Sequence, residues 1–160
     1  MKYAPVFIIL AVAFLSCRSD QDLRNMIQDE IAKSSARTFY PSQDVIGPYS
    51  PAVKAGPLLF VSGQVGIDPR TGNFAGDDIE SQTRQALMNM TAILTKANYD
   101  SSDVVQCTVY LKDMRDFQRM NLIYGGFFAE NKYPTRTTVE VSNLPRNAGI
   151  EISAIAYKSK

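Results

Sequence analysis

Between Asp77 and Ala97 the sequence keeps one apolar face for about five helical turns, and from Val104 to Lys112 it switches to alternation. A helix with a single apolar stripe must lie on another element, and an alternating strand has one covered face and one open face. The two patterns side by side demand a two-layer α+β fold, with helices on one side of a sheet. Ile79, Thr83, Ala86, Leu87, Met90, Leu94 and Ala97 form the helical stripe, with Asp77 and Asp78 at its start complementing the helix dipole. In the strand, Val105, Cys107, Val109 and Leu111 point to the helices, and Gln106, Thr108 and Tyr110 point away.

A second helix follows Asp113, burying Phe117, Met120, Ile123, Tyr124, Phe127 and Phe128. Gly125 and Gly126 inside it cost roughly 1 kcal/mol each relative to Ala, which points to close packing there. Upstream, a short strand, a turn at Gly56-Pro57 and a strand Leu58–Ser62 precede the turn DPRTGN. The stretch PTRTTVEVSNLPRNAGIEISAIAY (134–157) reads as two strands joined by a Pro-containing turn. The predicted order is β-β-α-β-α-β-β, a mixed sheet with two helices covering one face.

On the last two strands, alternation directs Thr137, Val139, Val141, Ile150, Ile152, Ala154 and Ala156 to the helices. Arg136, Thr138, Glu140, Glu151, Ser153, Ile155 and Tyr157 then share the other face. Two readings follow for Arg136 and Glu151. They are a cross-strand ion pair contributing about 0.2–1 kcal/mol, or they are the working parts of a site at a seam between subunits.

Length and charge narrow the classes. At 160 residues the chain holds one domain with an appendage, and a net charge of +1 gives no footprint for nucleic acid. There is no histidine, which removes the commonest general base and the commonest metal ligand together. No metal site is expected. Cys107, among inward-facing valines, reads as a small buried hydrophobe.

The first seventeen residues differ from the rest. Lys2 is followed by the apolar run VFIILAVAFL, too short to span a bilayer comfortably, and then by Ser16-Cys17. This resembles a bacterial lipoprotein signal, in which Cys17 is the lipidated first residue of a protein held in the cell envelope and facing the periplasm. Membrane contact would then run only through that lipid. An uncleaved anchor remains open, as does translation from Met26, which would make the protein cytoplasmic. Residues 18–36 read as a polar tether, with a short amphipathic helix possible through Leu23, Met26, Ile27 and Ile31, and residues 37–160 as the folded domain.

Several stretches carry a family resemblance: IGPYSPAV (46–53), VSGQVGIDPRTG (61–72), TRQALMNM (83–90), VYLKDMRDF (109–117), NLIYGGFF (121–128) and PTRTTVEVSNLP with IEISAIA. Together, over residues 37 to 160, they resemble the RidA (YjgF) family of reactive-intermediate imine and enamine deaminases. The resemblance implies a chorismate-mutase-like fold, a homotrimer with three sites between subunits, and no cofactor. It also implies hydrolysis of 2-imino acids, such as 2-iminopropanoate and 2-iminobutanoate, to 2-keto acids and ammonia. Arg136 would hold the substrate carboxylate bidentately, and Glu151 would activate water and shuttle protons. Tyr49, Ser62, Gly63, Asn121 and Thr138 match residues that line the same pocket. Many relatives carry Cys where this chain has Thr138, which bears on substrate preference. A non-catalytic envelope trimer binding small carboxylates in the same pocket is the alternative.

Overall fold

A computed structural model of the chain describes residues 20–29, 31–32, 36–41 and 47–159. The chain divides into two units, residues 1–36 and Arg37–Lys160. In the first unit, residues 20–29 and 31–32 are helical, and Leu23, Met26, Ile27 and Ile31 are all exposed. The leader and Cys17 lie outside the described residues. Among the described residues, no helix is long and apolar enough to cross a membrane.

The second unit is a six-stranded sheet with two helices. Its strands are β1 (Arg37–Tyr40), β2 (Ala52–Ala55), β3 (Leu58–Val65), β4 (Val104–Leu111), β5 (Thr135–Glu140) and β6 (Ile150–Tyr157). The helices are α1 (Ile79–Lys96), between β3 and β4, and α2 (Phe117–Gly125), between β4 and β5. The spatial order is β1-β2-β3-β6-β4-β5, antiparallel throughout except for β4 and β5, which run parallel. The α+β architecture with helices on one face is the one the periodicities require. Strand β1 was not anticipated: RTFY is too short to show alternation, and it is recruited only by pairing with β2.

Helix α1 forms where the stripe predicts. Asp78 caps it, accepting a hydrogen bond from Ser81 N at 2.8 Å, and every residue of the predicted stripe is buried. Leu87, Met90 and Leu94 are almost wholly enclosed against Leu59, Val109, Leu111, Ile150 and Ile152. Each such aliphatic side chain contributes roughly 1.5–3 kcal/mol. One polar residue joins them: Gln82 is 7% exposed.

Three local expectations are corrected. The last two strands are not a hairpin, because β4 lies between β5 and β6. In β4, the register slips between Val104 and Gln106, so Val104 takes the buried place and Val105 is exposed. Nor do the glycines of α2 reflect tight packing: a Cβ on Gly125 would meet nothing within 4 Å, and one on Gly126 only ordinary contacts.

The largest correction concerns β5. Its parallel register sets Arg136 beside Cys107 and Thr138 beside Val109, and both of those β4 residues are completely buried on the helix side. Arg136 and Thr138 therefore face the helices, while Thr137 and Val139 face the open side. Residue-by-residue alternation gives a period but no phase when both faces of a strand are mixed, and here the phase comes from the pairing with β4.

Candidate functional site

Glu151 is the second residue of β6. It stands on the open face between Val65 of β3 and Tyr110 of β4. Its carboxylate lies over the backbone of Gly63, where a Cβ would come within 1.7 Å of Oε1. Only glycine admits the carboxylate there. Beside it, β3 carries one extra residue against β6 between Val61 and Gln64, a bulge that turns Ser62 and Gly63 out of the regular ladder. Among the described residues the Glu151 carboxylate has no hydrogen bond and no ion pair. It is half-buried, and burial alone raises its pKa above the usual carboxylate value.

Ser62 belongs to the same end of the sheet. Its Oγ donates to the Ser50 carbonyl at 2.7 Å, and its N–H donates to the Pro51 carbonyl at 2.9 Å. These bonds draw the Tyr49-Ser50-Pro51 loop against the bulge. The Tyr49 side chain is exposed. The Ser62 hydroxyl proton is thus committed to the loop, which leaves that oxygen able to accept but not donate.

Arg136 is built differently. Its guanidinium carbon lies 4.6 Å from the ring centre of Tyr124 and 5.8 Å from that of Phe117, both on α2. Among the described residues it makes no hydrogen bond and no ion pair, so its donors are uncommitted. Asn121, half-buried, is one turn beyond Phe117 and one turn before Tyr124, and so shares their side of α2. Thr138 Oγ1 and the Tyr124 hydroxyl are both buried without a hydrogen-bond partner. The Cys107 thiol lies beside that hydroxyl without a hydrogen bond of ordinary geometry; burial pushes the thiol pKa up, and the phenol's too.

The predicted residues thus form two groups. Tyr49, Ser62, Gly63 and Glu151 belong to the bulged end of β3 and the start of β6, whereas Asn121, Arg136 and Thr138 belong to the edge strand and the helix beneath it. Arg136 and Glu151 lie on opposite sides of the sheet, with β4 between their strands. The cross-strand ion pair does not exist, and one protomer does not bring the two groups onto one face. Between the strands, the open face also carries a hollow of about 200 Å³ lined by Phe60, Gln106, Thr108, Ser153 and Ile155.

Sequence reasoning missed three supporting residues. Gln82 and Asn89 hold backbone groups around Glu151, and Tyr124 was read only as core. Gln82 could have been found, since it falls inside an otherwise apolar helical stripe, where a polar side chain needs a partner.

A mixed sheet with one open face, with ionisable groups at its edge and at a bulge that have no ion pair or hydrogen bond among the described residues, defines a small two-layer α+β protein. The family model described as Endoribonuclease L-PSP matches residues 41–158, and the chain belongs to this family, the RidA (YjgF) family. A RutC family protein of Pyrococcus horikoshii is 57% identical over 113 residues, covering 71% of this chain and 89% of that protein. The chloroplastic Reactive Intermediate Deaminase A of Arabidopsis thaliana is 46% identical over 111 residues, 69% of this chain and 59% of its own. Among solved structures, TdcF of E. coli with bound serine is 38% identical with a TM-score of 0.69, covering 75% of this chain and 94% of its own. A Rid family protein of Yersinia pestis is 37% identical with a TM-score of 0.73, covering 77% of this chain and 100% of its own.

Proposed function

We propose that this protein hydrolyses 2-imino acids of the 2-iminopropanoate and 2-iminobutanoate type to 2-keto acids and ammonia. The sites would be shared between neighbouring copies of a homotrimer. One observation carries the reading: the only two charged residues among the site residues singled out by sequence, Arg136 and Glu151, are both half-buried and both without an ion pair or hydrogen bond among the described residues, but on opposite faces. Unpaired charge held partly out of water is costly unless something arrives to meet it. Facing apart in one chain, the two groups can serve one substrate only if they come from two chains.

In that arrangement Arg136 of one copy binds the substrate carboxylate through two parallel N–H donors. The Tyr124 and Phe117 rings hold the guanidinium plane, and Thr138 Oγ1 and Asn121 supply hydrogen bonds beside it. Glu151 of the next copy orients the attacking water and takes its proton. The same carboxyl then delivers a proton to the departing nitrogen as the C–N bond breaks. A protonated imine is already electrophilic, so positioning and proton transfer suffice. A raised pKa suits this double role, because the group must give its proton back. The relative named as a deaminase and the one solved with serine, an amino acid carrying the same α-carboxylate, support the substrate class. RNA cleavage, which the family description would suggest, finds neither a basic surface charge nor any histidine in this chain.

The test mixes two dead variants. Arg136→Ala and Glu151→Gln are each expected to lose acceleration of iminopropanoate decay, with the imine generated by an amino-acid oxidase. Trimers reassembled from equal amounts of both should regain about one quarter of wild-type activity, since half the chains carry each intact half-site. No acceleration by wild type refutes the deaminase. No regain on mixing refutes the shared site. A Glu151→Gln protein that still binds a keto acid unchanged, beside an inactive wild type, would support the non-catalytic carboxylate binder.

A further inference from the structure

Glu151 stands where the pairing of β6 with β3 is weakest. β6 begins at Ile150 and β3 ends at Val65, so the Val65–Glu151 pair is the last rung between them. The bulge at Ser62-Gly63 interrupts the same ladder just behind. Between the interruption and the end, only Gln64–Ile152 and Val65–Glu151 join the two strands. On its other edge β6 is held by β4 through Tyr110–Glu151 and Leu111–Ile150, and Lys112 N donates to the Gly149 carbonyl at 3.0 Å. The weakly tied partner is therefore the end of β3, which carries Gly63 beneath the carboxylate.

Two amide side chains of α1 close this end. Gln82 accepts from Gly149 N at 2.8 Å and donates from Nε2 to the Gly76 carbonyl at 3.2 Å. It thereby ties the residue two before Glu151 to the loop that follows β3. Two turns along the same face, Asn89 donates from Nδ2 to the Val65 carbonyl at 3.1 Å and the Ile67 carbonyl at 2.9 Å. Its own oxygen accepts from Gln85 Nε2 at 2.8 Å, which fixes the amide's orientation. Gly66 is packed so closely on Gln82 that a Cβ there would lie 2.5 Å from the Gln82 Cα. Every polar atom of both amides is used on the backbone of the two strand ends or on the other amides of α1.

We propose that Gln82 and Asn89 are positioning residues for Glu151: a clasp from the helix layer that fixes the last rung between β3 and β6 and so aims a carboxylate on the opposite face. The consequence for the reaction rests on the deaminase reading; the clasp itself does not. The groups facing Glu151 from its neighbouring strands are Val65, Gly63 and Tyr110, of which Tyr110 alone is titratable.

Gln82→Leu and Asn89→Leu are compared with Leu94→Ala, a core substitution in α1 twelve residues, about 18 Å, from Gln82. The Glu151 carboxyl carbon is titrated by NMR in each, alongside kcat, KM and Tm. Both clasp variants are expected to let water reach Glu151 and move its titration to lower pH. Each should lower kcat about 10- to 100-fold with KM little changed. Leu94→Ala should lower Tm and leave the titration in place. A Glu151 titration unmoved in the clasp variants, or moved equally in Leu94→Ala, overturns the clasp. If Gln82→Leu fails to fold, the half-buried Asn89 carries the comparison. Should wild type show no deaminase activity, the titration still decides the clasp, and only the reaction is lost.

Discussion

The surroundings of Arg136 and of Glu151, the two halves of the proposed site, are built in opposite ways. Around Arg136 the chain supplies surfaces: two aromatic faces, a thiol and two buried hydroxyls without partners. Around Glu151 it supplies bonds: a bulge, a glycine with no room for a Cβ, a serine tied to a loop, and two amides bonded to backbone groups. The cation is cradled and its donors are left idle. The anion is aimed, and its own oxygens are left idle. A guanidinium keeps its charge at any ordinary pH and needs only a plane to lie on, whereas a carboxyl that must exchange a proton needs a fixed place and a controlled exposure to water.

Substitution of Gly63 is the severest way to break this contrast. In Gly63→Ala the new methyl would overlap the Glu151 carboxylate, which must rotate away. Loss of kcat on the order of 100-fold is expected, with KM changed far less, because the carboxylate-binding half is untouched. A Gly63→Ala enzyme with normal kcat would mean that the carboxylate over Gly63 is not the reacting group. On the other half, Tyr124→Leu removes the ring beneath the guanidinium but keeps an apolar side chain. A cation–π contact contributes about 0.5–2 kcal/mol, so KM should rise about 2- to 30-fold with kcat nearly constant. Tyr124→Phe, which keeps the ring, should restore KM. If Phe behaves like Leu, the hydroxyl and not the ring is what matters, and the cradle description fails.

The contrast also explains what was legible in the sequence. Helix α1 was plain because seven positions repeat one spacing, and β6 was plain because Ile150, Ile152, Ala154 and Ala156 alternate with a mixed set that includes Glu151 and Ser153. Both elements bury one face fully, so pattern and phase coincide. β5 defeated the same reasoning: TRTTVE has threonines on both faces, and as an edge strand it takes its phase from β4, far away in sequence. Arg136 was singled out in the sequence but assigned the wrong side. Glu151 was assigned its correct face, but its supports were not read: Gln82 showed only as a polar residue inside the apolar stripe, and neither it nor Asn89 reveals in sequence which main-chain atoms it binds.

The smallest effect separates the halves by pH. Burial raises the Glu151 pKa, so the folded chain holds that proton more tightly than the unfolded chain does. Below the ordinary carboxylate range the group is protonated in both states and costs nothing. As pH rises through the raised folded value, ionising it weighs against the folded state, and stability falls. A neutral amide at this position mimics the protonated acid, so Glu151→Gln should raise Tm at pH 8, with the gain shrinking to nothing by about pH 4, near the ordinary carboxylate pKa. Asp113 runs the other way: Arg115 holds its carboxyl at about 2, so its contribution disappears as pH falls, but equally in both proteins. The difference between the two melting curves therefore isolates Glu151. A Tm difference that stays the same from pH 4 to pH 8, or a Glu151→Gln protein less stable than wild type at pH 8, would show that the carboxylate is fully hydrated in solution and has not been set aside for chemistry.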